Sequence, residues 1–238
     1  MQSTARPTAA PRRRVRWRAP VALALLALMA APFARHAAEL GWAGLTRDLW
    51  PESRFDPPGV AVSAAIFLHM ASGAAITVLA PLQLIPQIRA RAPALHRWAG
   101  RVIVCLALVT AAAGLAWIGA RGTIGGPEMS AAFALYGALL ALAAAQAWRF
   151  ARAGVYGRHR AWALRLFVLA IASWLYRVQY GLWYAATGGL ASTPDFTGAF
   201  DRIQVWAFFL PWLALLELWL WRERRRGGHA APARPAPL

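Results

Sequence analysis

The sequence predicts an all-α fold, a bundle of about six membrane-crossing helices with both termini on the cytoplasmic side. Three observations predict it. First, 59% of the 238 residues are hydrophobic and the mean hydropathy is +0.42, yet the formal net charge is +17. A soluble domain does not combine so much apolar surface with so few carboxylates. Second, the apolar residues gather into six stretches close to the ~20 residues that a helix needs to cross a bilayer. Third, arginines and carboxylates are sorted between alternate connections.

In chain order, residues 1–18 are rich in Pro, Ala and Arg and read as a disordered basic tail. Spans are expected over 19–40, 60–85, 102–120, 130–149, 163–186 and 203–221, and residues 222–238 form a second disordered basic tail. The connections carry turn and charge signals: "WPESRFDPPG" at 50–59, "QIRARAPALHRWAGR" at 87–101, "RGTIGGPE" at 121–128, "RFARAGVYGRHR" at 149–160 and "GGLASTPDFTGAFDR" at 188–202. The first span is the shortest, with a clean apolar core from Val21 to Ala34 behind "RRRVRWR". It also has the form of a cleaved signal peptide, and small residues near Ala34 would permit cleavage.

Charge then orients the bundle. All 26 basic residues are arginine, which suggests a GC-rich bacterial genome. With the N-terminus inside, 20 of the 26 fall in inner segments, while seven of nine carboxylates (Glu39, Asp48, Glu52, Asp56, Glu128, Asp195 and Asp201) fall outside. The pI near 11.8 therefore reads as topology in a bacterial inner membrane. The partners expected are the bilayer and its anionic headgroups, not nucleic acid. Cys105, the one cysteine, sits in an apolar run, which leaves no disulfide framework and no thiolate cluster.

Two ionisable residues lie at membrane depth, where charge is expensive and marks function. His69 and Arg177 each sit about nine residues in from the outer end of their spans, roughly 13 Å deep at 1.5 Å per residue. Their helical faces carry small and polar residues at i+3, i+4 and i+7 spacing: Ser72, Gly73, Ala80 and Gln83 with His69, and Ser173, Tyr180 and Tyr184 with Arg177. A ligand site around His69, Gln83, Arg177 and Tyr180 is one reading. Polar packing without a ligand is the other, together with snorkelling of Arg177 to the outer interface. No carboxylate is expected at this depth to neutralise Arg177.

"LHRWAGR" (95–101) and "RHRAWALR" (158–165) repeat a His-Arg pair ahead of a long apolar run. Topology alone accounts for arginine anchors and for Trp98 and Trp162 in the aromatic belt. A basic cluster of Arg89, His96, Arg97, Arg101, His159, Arg160 and Arg165 would also hold an anion or lipid headgroup. A third reading is haem b, with His96 and His159 as axial ligands and Arg97, Arg101, Arg160 and Arg165 facing the propionates. A docking surface is the fourth.

Phosphate loops, nucleophile elbows, HExxH and paired intramembrane carboxylates are all missing from the sequence. Glu217 reads as an interfacial anchor beside Arg222. The function expected is therefore non-enzymatic, with a haem-b or quinone-linked electron carrier as the alternative.

The pattern "HMASG…APLQLIPQIRARAPALHRWAGR" (His69 to Arg101), followed by "HRAWALR" and an intramembrane arginine, resembles a bacterial multi-spanning family known as domain of unknown function 2306. The likeness covers about residues 60–185 and is most specific at Gly73, Pro81 and Gln83 joined to His-Arg-x-x-Gly-Arg. Matching positions are His69, Gln83, Arg89, His96, Arg97, Gly100, Arg101, His159, Arg165 and Arg177, while Ala80 stands where the family usually has glycine. The resemblance implies an integral membrane protein and no particular activity.

Overall fold

The computed structural model describes residues 17–46 and 60–227. The disorder expected of residues 1–16 and 228–238 lies outside them. Among the described residues every regular element is a helix: α1 (Arg18–Thr46), α2 (Val60–Gln83), α3 (Pro86–Arg91), α4 (Pro93–Arg121), α5 (Gly126–Arg152), α6 (Tyr156–Thr187), α7 (Ala199–Ala207) and α8 (Leu210–Gly227). Among the described residues, six helical segments are long and apolar enough to span a membrane, with α7 and α8 counted as one. The protein is an integral membrane protein of about six spans.

The helices reach beyond the apolar runs that announce them. "HRWAGR" lies inside α4 and "RHRAWALR" inside α6, so both histidines sit in the first turns of spans. Pro at the first helical position suits α3, α4 and, one residue later, α5, because an orphan amide is not needed there. Residues 222–227, expected in the tail, continue α8, since arginine is a good helix former and the helix has not yet met its glycine. α1 runs unbroken through Ala34.

Four helices make the centre: α2 packs on α4 and α6, and α5 packs on α4 and α6. α1 leans on the outside of α2, while α7 and α8 lie against α5 and α6. In a bilayer the apolar effect gives little reason for helices to associate, so small residues that permit close van der Waals contact decide the packing. Ala107, Ala111, Ala143, Ala144, Ala170 and Ala172 are all at most 2% exposed. Gly41 of α1 shows how tight the fit is, for a Cβ there would stand 2.7 Å from the Phe67 carbonyl oxygen. Phe67 is fully buried under α1.

The last span breaks at Phe208 and Phe209. Pro211 has no N–H to offer the Ala207 carbonyl, which ends the regular ladder between α7 and α8. The two phenylalanines, both fully buried, turn into a cluster with Phe133, Tyr136 and Tyr176, with centroids 4.8–5.6 Å apart.

Candidate functional site

His69 faces α4. Its Nδ1 lies 2.8 Å from the Thr110 carbonyl oxygen, which can only accept, so Nδ1 carries the proton and Nε2 is left as the acceptor of the neutral ring. Beside it, the Thr110 and Ser72 hydroxyls lie 2.8 Å apart, and each also bonds back to its own helix. Gly114 makes the room, because a Cβ there would come within 2.7 Å of His69 Nδ1. The imidazole is thus wedged at a polar seam between α2 and α4.

Arg177 projects from α6. One guanidinium nitrogen donates to the Ser173 carbonyl at 2.9 Å, and its Cζ stands 4.5 Å from the centre of the Phe33 ring of α1. It lies within electrostatic reach of His69, Tyr136 and Tyr176. Among the described residues no carboxylate pairs with it. The side chain stays exposed, opening at α1 instead of packing into the centre of the bundle.

Of the other two residues expected at this site, Gln83 lies far from it and Tyr180 stands one turn along α6 from Arg177. Gln83 lies fourteen residues along α2 from His69, about 21 Å away at 1.5 Å per residue. Its Nε2 donates to the His96 carbonyl at 2.6 Å, which ties the end of α2 to the start of α4, and Gly100 leaves space for its amide. The Tyr180 hydroxyl donates to Asp201 at 2.7 Å. Tyr180 therefore shares the face of Arg177 but spends its hydroxyl on α7.

Asp201 is the polar residue that sequence reasoning missed. Assigned to an outer loop, it is fully buried in the first turn of α7. Oδ1 accepts from Tyr180 and from Ser192 at 2.8 Å; Oδ2 accepts from the amides of Thr193 at 2.9 Å and Gly198 at 3.0 Å. A carboxylate at the head of an apolar helix is a capping signal, and that was the clue available. This hub folds residues 188–198 over the end of the bundle, helped by Trp183, which stacks on Phe200 at 4.4 Å and donates to the Leu190 carbonyl. In the same loop Asp195, held by the Thr193 and Thr197 hydroxyls, has its pKa drawn below the ordinary carboxylate value.

At the arginine-rich end the basic cluster divides. Arg165 forms a bidentate pair with Glu217 of α8 at 2.6 and 2.7 Å and lies over Trp162, while Arg160 pairs with Glu223 at 2.7 Å. Glu217 thus meets Arg165 across the bundle, not Arg222 along its own helix. Arg89, Arg97 and Arg101 remain exposed and have no ion pair among the described residues. His159 Nδ1 donates to the Ala147 carbonyl at 2.9 Å, and His96 lies within electrostatic reach of it. Of the four arginines expected to face haem propionates, two are therefore already engaged by carboxylates. No group of three or more His, Cys, Asp or Glu that could hold a metal occurs among the described residues.

Comparison with known proteins gives one match. A family model described as a predicted membrane protein, DUF2306, matches residues 66–220, which takes in most of the last five spans and both His69 and Arg177, but not Phe33, Arg222 or Glu223. No curated protein and no solved structure matches the chain.

Proposed function

The chain belongs to the DUF2306 family of predicted membrane proteins, and from that premise we propose that it binds an anionic small molecule or lipid in the polar site formed by Arg177, His69 and their neighbours. One observation carries the reading: Arg177 stands within the apolar helix α6, ten residues short of its end, with a carbonyl and an aromatic ring as partners and no carboxylate among the described residues. A guanidinium at such a depth costs about 2.5–3.5 kcal/mol on insertion scales, and an anion brought to it offsets that cost. His69 Nε2 adds an acceptor for a ligand hydroxyl. Such a site serves transport, sensing or lipid binding without catalysis.

In this reading the protein lies in a bacterial inner membrane with its arginine-rich end in the cytoplasm. There Arg89, Arg97 and Arg101 meet anionic headgroups. The alternative, a haem-b or quinone-linked carrier, draws support from the His159 Nδ1–Ala147 bond, which orients the ring as an axial ligand would be oriented.

The test is the thermal stability of the detergent-purified protein titrated with dodecyl phosphate, laurate and inorganic phosphate. The proposal expects the amphiphilic anions to raise the melting temperature of the wild type and not of Arg177→Leu, with Arg177→Lys in between. An equal rise in Arg177→Leu overturns it. A Soret band in the visible spectrum, lost on His96→Ala or His159→Ala, would establish the carrier in its place.

A further inference from the structure

Three buried polar atoms have no hydrogen-bond partner among the described residues: Gln87 Oε1 on α3, His96 Nδ1 on α4 and Gln146 Oε1 on α5. All three belong to the arginine-rich end. α3 packs on α4, and Arg89 of α3 and His159 of α6 both lie within electrostatic reach of His96. Gln146 immediately precedes Ala147, whose carbonyl His159 holds at 2.9 Å. The register thus puts the three residues at one end of the bundle, on α3, α4 and α5, along the chain of packed pairs α3 on α4, α4 on α5 and α5 on α6. This is remote from Arg177, which stands eighteen residues along α6 from His159, about 27 Å.

The chemistry of the three atoms is specific. An amide oxygen only accepts, so Gln87 and Gln146 call for O–H or N–H donors, and leaving a buried acceptor without one is costly. Elsewhere in the bundle comparable groups are satisfied: the Tyr136 hydroxyl by the Leu169 carbonyl, and the Thr77 hydroxyl by the carbonyls of Gly73 and Ala170. The charge around His96 is positive, from Arg89 and Arg97, with Arg101 one turn beyond Arg97 on α4. Donors alone would describe water or an amine, whereas donors beside unpaired guanidinium groups describe an anion with hydroxyls.

We propose that this end of the protein holds a second ligand site for a glycerol phosphate or similar polyol phosphate. The arginines take the phosphate, and the Gln87 and Gln146 oxygens accept from the hydroxyls. With both hydroxyls so used, His96 Nδ1 in its protonated tautomer donates to a phosphate oxygen. The inference rests on the headgroup reading of the arginine rim for the phosphate, and adds the requirement for hydroxyls. One chemistry covers two sources, a phosphatidylglycerol headgroup and a free glycerol phosphate.

Thermal melting of the full chain in detergent, titrated with dihexanoyl phosphatidylglycerol, dihexanoyl phosphatidic acid and sn-glycerol 3-phosphate, tests it. The wild type is expected to bind phosphatidylglycerol at least tenfold more tightly than phosphatidic acid, which lacks the hydroxyls. A shift with sn-glycerol 3-phosphate alone supports the class and assigns a soluble source, and a shift only with phosphatidylglycerol assigns a lipid. Gln146→Leu removes an unpaired acceptor, so without ligand it melts no lower than the wild type, while its preference for phosphatidylglycerol falls to within about twofold. Gln87→Leu, on another helix, gives the same loss should Gln146→Leu not fold. Equal binding of the two lipids by the wild type overturns the polyol site and leaves the rim reading standing. Absence of any shift overturns both, and a preference intact in both variants overturns the assignment of residues.

Discussion

Tyr180 on α6 and Asp201 on α7 are joined by a 2.7 Å hydrogen bond, and through it the loop of residues 188–198 is fastened to the fifth span. The carboxylate is fully buried yet accepts four hydrogen bonds, two of them from backbone amides. Its burial is tolerated because each oxygen finds two donors.

Asp201→Ala strands those donors. The expected loss is about 3 kcal/mol of stability, read from chemical unfolding in detergent, with new protease cleavage inside residues 188–198. Tyr180→Phe removes one donor only and costs about 1 kcal/mol. If the two variants cost the same, the hub is not the fastening.

Gly114→Ala places a methyl against the His69 ring, at 2.7 Å from Nδ1 and 3.0 Å from Cε1. Neither α2 nor α4 can yield easily at a seam this close, so overpacking of about 1–3 kcal/mol is expected. Shrinking the imidazole relieves it: His69→Ala with Gly114→Ala should be more stable than the sum of the single changes by about 1 kcal/mol. Strict additivity in that double-mutant cycle would place the two groups apart.

Arg165→Lys keeps the charge and loses both the fork onto Glu217 and the stack on Trp162. The Arg165 side chain is 17% exposed and Glu217 45%, so the pair is only partly screened. About 1 kcal/mol of destabilisation is expected in urea melts. The far more open Arg35–Glu39 pair, one turn apart on α1, should show no measurable effect when Glu39 becomes Gln.

Gln83→Leu separates two roles for that amide. As a tie between α2 and the His96 carbonyl it costs about 1 kcal/mol on removal. As a distant residue it leaves the anion response at Arg177 unchanged, and a lost response in the titration would return Gln83 to that site.

Hydropathy made the spans legible because membrane crossing demands length and apolarity in one continuous stretch. Counting residues inward gives His69 and Arg177 one depth, on α2 and α6, two helices that pack on each other. A shared helical face misled for Gln83, because it fixes direction but not depth, and it could not name Asp201 as the partner of the Tyr180 hydroxyl. Asp201 looks like a loop carboxylate in the sequence, since only the folded loop brings Ser192, Thr193 and Gly198 around it. The Arg165–Glu217 pair spans 52 positions, a separation that no local pattern encodes.

The family match begins at Ile66, inside α2, and so takes in five of the six spans. An odd number of crossings leaves the two ends of that unit on opposite faces of a membrane. α1, packed against α2 at Gly41 and Phe67, adds the sixth candidate span and makes the number even among the described residues. The helix that contributes Phe33 to Arg177 is therefore the candidate span that lies outside the family match.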